Sequence, residues 1–332
     1  MDSADAPAAY HPPLPFTGPN LLAPMEGVTD PVFRDLVSAL HAPRDLGGTF
    51  TEFVRVVGHA LPVEKLAEAL GARRPHVPVG LQLMANRLEP LEGSVAGAFE
   101  AGAPIVDLNF GCPAKGTLRG CAGAALLDDP PRVEALVTSA VRAADGRPVS
   151  AKIRAGGEDD RDLETLARAV EAGGAALLTV HCRTRREGYA DTADWERLRR
   201  AVDAVSIPVC GNGGVDAHAD LARVRAETGS AFAMIGRGAL ADPWIFSGHR
   251  ADRGEAAGFL LEYFDRMRAA GCSAGQSAGR VKQLLRHWTA GALVAGTMED
   301  PSSERRQILR IADPTALMDA VRECGARTTV AP

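Results

Sequence analysis

No stretch of the sequence approaches the roughly 20 consecutive apolar residues that a helix needs to cross a bilayer, which excludes a helical membrane protein. The six cysteines, Cys112, Cys121, Cys182, Cys210, Cys272 and Cys324, form no CxxC pair. That spacing argues against a metal site and against a disulfide scaffold. Basic residues are not in excess: 37 Lys and Arg stand against 42 Asp and Glu, giving a net charge of -5 and a pI near 5.9. Polyanion binding by a uniformly basic surface is thereby excluded, and any nucleic-acid contact must be local. No Gly-rich phosphate turn follows the first apolar segment, where a doubly wound dinucleotide-binding sheet would carry one; Leu21-Leu22-Ala23 runs straight into Pro24. Residues 1–20 lack a basic region ahead of an apolar core, so they are expected to be a flexible leader and not a signal peptide. A soluble cytoplasmic protein is expected.

What is present is a series of apolar runs that stop at polar residues. They are Leu21 to Gly27, Gly48 to Phe53, Val79 to Met84, Ile105 to Pro113, Val149 to Arg154, Leu177 to Thr184, Ile207 to Gly214 and Phe232 to Gly238. Such runs suit strands covered on both faces. Between them lie amphipathic helical stretches, among them Leu88 to Ala101, Pro131 to Ala144, Leu163 to Ala172 and Ala217 to Thr228. Eight βα units match a closed α/β (β/α)₈ TIM barrel, here over residues 21–248, in count and length. With 46% hydrophobic residues, a chain of 332 can bury that core and add a second unit. The polar stretch Ser247 to Gly254 marks the boundary, and residues 255–325 are expected to form a small all-helical domain.

In a barrel the carboxyl ends of the strands gather at one mouth. Glu26, Glu52, Gln82, Asn109, Cys112, Lys152, Arg154, His181, Asn212 and Arg237 are therefore expected to converge, although they are scattered along the chain. The Gly-rich turns Gly211-Asn212-Gly213-Gly214 and Gly236-Arg237-Gly238 follow the last two strands, where barrels bind phosphate through backbone N–H groups. In the helical tail Arg280, Lys282, Arg286, Arg305, Arg306 and Arg310 cluster, and Lys282 and Arg286, at i and i+4, share a helix face.

Six motifs, in this order, resemble the flavin-dependent tRNA-dihydrouridine synthases. They are Ala23-Pro24-Met25-Glu26-Gly27-Val28-Thr29-Asp30, Asp107-Leu108-Asn109-Phe110-Gly111-Cys112-Pro113-Ala114-Lys115, Lys152-Ile153-Arg154, His181-Cys182-Arg183-Thr184, Gly211-Asn212-Gly213 and Gly236-Arg237-Gly238-Ala239. The resemblance runs from Leu21 to about Pro314. Thr51 to Val57 and Arg280-Val281-Lys282-Gln283 further resemble the bacterial subgroup that reduces uridine 16 of tRNA.

The resemblance implies FMN at the barrel mouth, NADPH or NADH as reductant, tRNA as partner and substrate, and no stable protein partner. It implies FMN contacts from Pro24, Met25, Glu26, Gln82, Lys152 and His181, with Asn212, Gly213, Gly214, Gly236 and Arg237 on the phosphate tail. Arg55, Arg280, Lys282 and Arg310 would contact tRNA, while Asn109 orients the uracil and Arg154 reaches a base or phosphate oxygen. Hydride would add to C6 of the uracil and Cys112 would protonate C5. An unperturbed thiol, ionising near pH 8.5 by reference values of about that size, keeps its proton at neutral pH and so suits a general acid. The base must be turned out of the folded RNA to be reached.

The chain departs from the family pattern in three ways. Leu118 and Cys121-Ala122-Gly123 replace an Asn and a Gly triplet in the loop after Cys112, Cys121 is a second thiol on that loop, and Cys182 stands where the family has Gly. Two alternatives remain open at this level: an FMN barrel reducing a small molecule of dihydroorotate or enoate type, and a nonenzymatic RNA-binding protein.

Overall fold

The structure, a computed structural model, describes residues 12–72, 76–114, 121–189, 193–294, 300 and 302–327. Its apolar runs form β1 (Asn20–Leu22), β2 (Gly48–Phe50), β3 (Val54–Arg55), β4 (Val79–Met84), β5 (Val106–Asn109), β6 (Val149–Arg154), β7 (Leu177–His181), β8 (Val209–Asn212) and β9 (Phe232–Ile235). All pairings are parallel, and because β1 pairs with both β2 and β9 while β2 pairs with β4, eight strands close on themselves. The expected TIM barrel is therefore observed. The two-residue β3 is an addition to it, attached to the end of β4 by Val54 opposite Leu83 and Arg55 opposite Met84.

The return segments form α1 (Pro31–Ala39), α2 (Val63–Leu70), α3 (Leu88–Glu100), α4 (Pro130–Ala143), α5 (Leu163–Ala172), α6 (Glu196–Ala204), α7 (His218–Thr228) and the short α8 (Arg237–Ala241). Helix α1 starts where it does because Asp30 accepts hydrogen bonds from the Val32 and Phe33 amides and Pro31 needs no partner for a missing N–H.

Inside the barrel the pleat sorts side chains into layers. Leu21, Phe50, Ile105, Leu177, Cys210 and Met234 form an apolar cluster at the base. Phe16 closes it from below, its ring 5.8 Å from that of Phe50 and 5.5 Å from that of Phe232. Thr17 Oγ1 donates to the His76 carbonyl at 3.0 Å. Residues 12–19, assigned to a leader by their composition, are thus part of the barrel's base, because the open end exposes apolar rings that Phe16 covers. Residues 1–11 of that leader lie outside the described residues. Above the apolar base sits a buried polar layer of Gln82, Asp107 and Ser150.

Helices α9 (Arg253–Ala269), α10 (Ala274–Leu285), α11 (Ser303–Arg310) and α12 (Pro314–Ala326) follow the barrel. Helix α9 begins within the expected boundary stretch, at a capping box in which Asp252 and Glu255 satisfy each other's amides. These helices dock on α1: the Phe33 ring lies 6.1 Å from Phe259 and 6.0 Å from Tyr263, Tyr263 Oη donates to Asp30 at 2.5 Å, and Arg266 pairs with Asp35 at 2.8 Å. One apolar cluster runs continuously from the barrel's helices into this unit. The docking fixes the helical unit beside the barrel mouth. No helix among the described residues is long and apolar enough to cross a membrane.

Candidate active site

The carboxyl ends of the strands open into a cavity of about 600 Å³, within the range of small-molecule and cofactor sites. Its floor comes from strand ends set in register: Asn109 lies opposite Lys152, Arg154 opposite His181, His181 opposite Asn212 and Asn212 opposite Met234. Residues far apart in sequence become neighbours because each lies at or near the carboxyl end of its strand.

Lys152 Nζ donates to Asn212 Oδ1 at 2.9 Å, and Asn212 Nδ2 donates to the Met234 carbonyl at 2.8 Å. Burial lowers the Lys152 pKa to about 8, with Arg154 pushing the same way and Asp107 opposing. At neutral pH the amine stays mostly protonated, which leaves a partly desolvated cation facing the cavity. His181 is held well below the usual imidazole range, first by burial and then by Lys152, Arg154, Arg183 and Arg237. It is neutral, and its Nδ1 accepts from the Arg183 amide at 3.2 Å.

The end of β5, beside β6, carries Cys112. Asn109 Oδ1 accepts from the Gly111 and Cys112 amides, each at 3.0 Å, and the Cys112 carbonyl accepts from Ala124 at 3.1 Å. The tight exit from β5 therefore presents the thiol to the cavity. Arg154 straps this turn to the β7 loop: its Nε donates to the Gly111 carbonyl at 2.8 Å and its guanidinium donates to the Gly188 carbonyl at 2.8 Å and that of Thr184 at 3.2 Å.

At the far side, backbone without side chains shapes a cradle. Gly213 has φ +104, and a Cβ there would stand 2.8 Å from Cys182 Sγ; Gly214 has φ +69, and its Cβ would stand 2.4 Å from Ala193 Cβ. Trp195 Nε1 holds the Gly213 carbonyl at 2.9 Å, and Asp220 Oδ2 accepts from Asp216 at 3.0 Å and from Ala217 at 2.9 Å. Gly236 lies beside Met25, whose Sδ is 3.3 Å from the position of an added Cβ. Two cations, Arg183 and Arg237, face the same cavity. The set suits an anionic group held by backbone donors and guanidinium ions. Replacing Gly213 by Ala forces an unfavourable φ onto a residue whose Cβ meets Cys182. The expected result is a loss of about 1–3 kcal/mol in urea denaturation. Adding Cys182→Gly should recover only part of it, because the φ penalty remains.

The model of the dihydrouridine synthase (Dus) family matches residues 21–298 of this chain. The chain belongs to that family. It is 37% identical over 292 residues to a tRNA-dihydrouridine(16) synthase of Ralstonia nicotianae, covering 82% of this chain and 88% of that protein. A tRNA-dihydrouridine(16) synthase of Aquipseudomonas alcaligenes is 34% identical, with 86% and 96% of the two chains covered. A probable tRNA-dihydrouridine synthase of Rhodobacter capsulatus is 30% identical, with 92% and 94% covered. The chain is thus a Dus enzyme, an oxidoreductase, and it is similar to relatives named for position 16.

In this synthase Pro24, Met25, Glu26, Asn109, Cys112, Lys152, Arg154, His181, Asn212, Gly213, Gly214, Gly236 and Arg237 all line the cavity. Gln82 does not. It is fully buried one layer deeper, its amide bonded to Asp107 and Asn109, because β4 continues two residues past it to Met84. Arg154 is a strap across loops, which differs from the open base or phosphate contact expected of it. Glu52 also sits away from the lining; burial raises its pKa and Arg280 opposes that rise across the junction with the helical unit. Arg280 stands beside Gly27, 3.4 Å from where its Cβ would be, so it is a junction residue half-buried between the units. Arg55, Lys282 and Arg310 lie outside the cavity wall, with Arg55 and Arg310 exposed.

Cys121 is exposed and also outside the lining, so Cys112 alone of the two loop thiols reaches the cavity among the described residues. Lys115 and Leu118 lie outside the described residues. Cys182 is buried, with its Sγ 2.8 Å from where a Cβ on Gly213 would stand.

The sequence reading missed four residues. Asp107 and Arg183 stood inside quoted motifs and were passed over. Tyr189 and His287 gave no local signal: Tyr189 is an exposed ring at the mouth, 5.3 Å from the Arg154 guanidinium and 5.8 Å from that of Arg237, and His287 reaches the cavity only because the helical unit docks there.

Proposed function

We propose that the protein is a tRNA-dihydrouridine synthase that uses FMN and NADPH or NADH to reduce the C5=C6 bond of a D-loop uridine, position 16. The observation that carries the reading is one cavity lined by Cys112 after β5, by the Lys152 cation on the neighbouring β6 and by the glycine cradle after β8 and β9. FMN fits these residues: the Gly213, Gly214 and Gly236 backbone with Arg237 would hold its phosphate, and Lys152 its electron-rich N1/C2=O edge. Pro24 and Met25 would lie against the ring, and neutral His181 would add a hydrogen bond. When bound and reduced, the flavin supplies hydride to C6 of the uracil.

The chain's own residues would do the rest. Asn109 holds the turn that aims Cys112, and the thiol gives its proton to C5, the atom left with the electron pair after hydride arrives at C6. The thiolate is then reprotonated from solvent. Tyr189, an exposed ring flanked by two guanidinium groups, suits stacking with an everted or flanking base. The nicotinamide would reach the flavin through the same mouth. The cytoplasm is the compartment that fits a tRNA substrate.

The helical unit places Lys282 and Arg286 on α10 and its end, near the mouth that His287 also faces. Replacing both with Ala should raise the KM for tRNA and flatten its dependence on salt by about one unit of log–log slope per lost phosphate contact, with NADPH oxidation by the flavin unchanged. Steady-state assays at several salt concentrations test this. A reductase of small molecules is the alternative: it would reduce free uridine or an enone as fast as tRNA and would be indifferent to these two cations.

A further inference from the structure

Beneath the cavity floor, every link in a chain of buried hydrogen bonds is in place. Ser150 Oγ donates to Asp107 Oδ1 at 2.6 Å, and Gln82 Nε2 donates to Asp107 Oδ2 at 2.7 Å. Asn109 Nδ2 donates to Gln82 Oε1 at 2.8 Å, and Asn109 Oδ1 accepts from the Gly111 and Cys112 amides at 3.0 Å each. Thr51 Oγ1 accepts from the Gln82 backbone amide at 3.0 Å, which pins that residue from the strand beside it. Asp107 is 2% exposed, Gln82 0% and Asn109 9%, so water offers the inner links no substitute.

The two ends of the chain dictate its direction. A carboxylate only accepts and a backbone N–H only donates. Between such ends, two amides in series have one arrangement that satisfies every link: Gln82 turns its NH₂ to Asp107 and its oxygen to Asn109, and Asn109 turns its oxygen to the turn. Reversing either amide sets donor against donor in a buried site, where an unmet polar group is costly.

We infer that Asp107 is a positioning residue: its carboxylate, acting through the Gln82 and Asn109 amides, holds the Gly111-Cys112 turn and with it the thiol that faces the cavity. The inference rests on the reading of Cys112 as the proton donor. It gives Gln82 a task below the floor, and it explains why a carboxylate is buried two residues before the end of β5 with no cation bonded to it in the chain described.

The test removes the acceptor at the chain's head. Asp107→Leu leaves the Gln82 NH₂ without a partner, so Gln82 is free to turn and Asn109 loses the contact that fixes its oxygen on the turn. With the FMN-loaded, NADPH-reduced protein and unmodified tRNA transcript, the expected result is a fall of about 100-fold in the rate of dihydrouridine formation, as for a reacting group displaced by about 1 Å. Flavin reduction by NADPH and the KM for tRNA should hold. In Asp107→Asn the amide oxygen still accepts from Gln82 while its NH₂ donates to the Ser150 hydroxyl, which can accept as well as donate. That variant should keep most of the rate.

A wild-type rate in Asp107→Leu overturns the inference. So does a flavin-replete Asp107→Asn as slow as Asp107→Leu; where Asp107→Leu binds FMN poorly, Gln82→Met, which cuts the middle link, decides in its place by the same fall in rate or its absence. Full activity in Cys112→Ala would instead overturn the proposed function, whatever Asp107→Leu does; an inactive Cys112→Ala beside a wild-type Asp107→Leu overturns the relay alone.

Discussion

Cys112→Ala should bind FMN and accept electrons from NADPH as the parent does, yet form dihydrouridine about 10²- to 10⁴-fold more slowly, the range that a positioned general acid contributes. The dissociation of the two half-reactions follows from geometry. The thiol stands on the β5 wall, while the cation and the glycine cradle stand on β6, β8 and β9, so removing sulfur leaves the flavin contacts in place. Cys121→Ala should retain activity, since that thiol is exposed and outside the cavity lining. Stopped-flow bleaching under anaerobic conditions, followed by quenched sampling of tRNA for dihydrouridine, measures both half-reactions in one preparation. Full product formation in Cys112→Ala would remove the thiol from the chemistry.

Lys152→Met should weaken FMN binding by about 10- to 100-fold, the equivalent of one hydrogen bond to a charged group, about 1.5–3 kcal/mol, and shift the flavin's visible spectrum. A pH dependence accompanies it. The free protein's Lys152 pKa lies near 8, lowered from 10.5 chiefly by burial. The ammonium is therefore present below about pH 8 and lost above it, and negative charge on the ligand favours the protonated form. FMN affinity, read by fluorescence quenching of the apoprotein titration, should fall as pH rises through and beyond 8 in the parent. In Lys152→Met that slope should be absent. Equal affinity and equal spectra in the two proteins would take Lys152 off the flavin.

The barrel was legible because each unit repeats one signal, an apolar run that stops at a polar residue, and because closing eight of them brings those stops to one rim. Depth along a strand was less legible. Gln82 and Asn109 both look like polar strand ends, but β4 extends to Met84 and buries Gln82, whereas β5 ends at Asn109 and brings it to the cavity. Base closure by Phe16 was hidden in a segment rich in Pro and Ala, where composition outweighed one ring. The basic residues of the helical tail were visible as a cluster, but charge alone does not say which face is free. Docking on α1 turns Arg280 into the junction beside Gly27 and brings His287 to the cavity instead. Tyr189 owes its place to Arg154 and Arg237, contributed by β6 and by the turn after β9, and no local pattern joins the three.

The most direct measurement is an anaerobic incubation of the purified protein with NADPH and unmodified tRNA transcript, with the visible spectrum recorded and dihydrouridine located by mass spectrometry. The expected result is a yellow protein that bleaches with NADPH and reduces one D-loop uridine, position 16. Bleaching with no dihydrouridine in correctly folded tRNA would contradict it and point to a flavin reductase of small molecules.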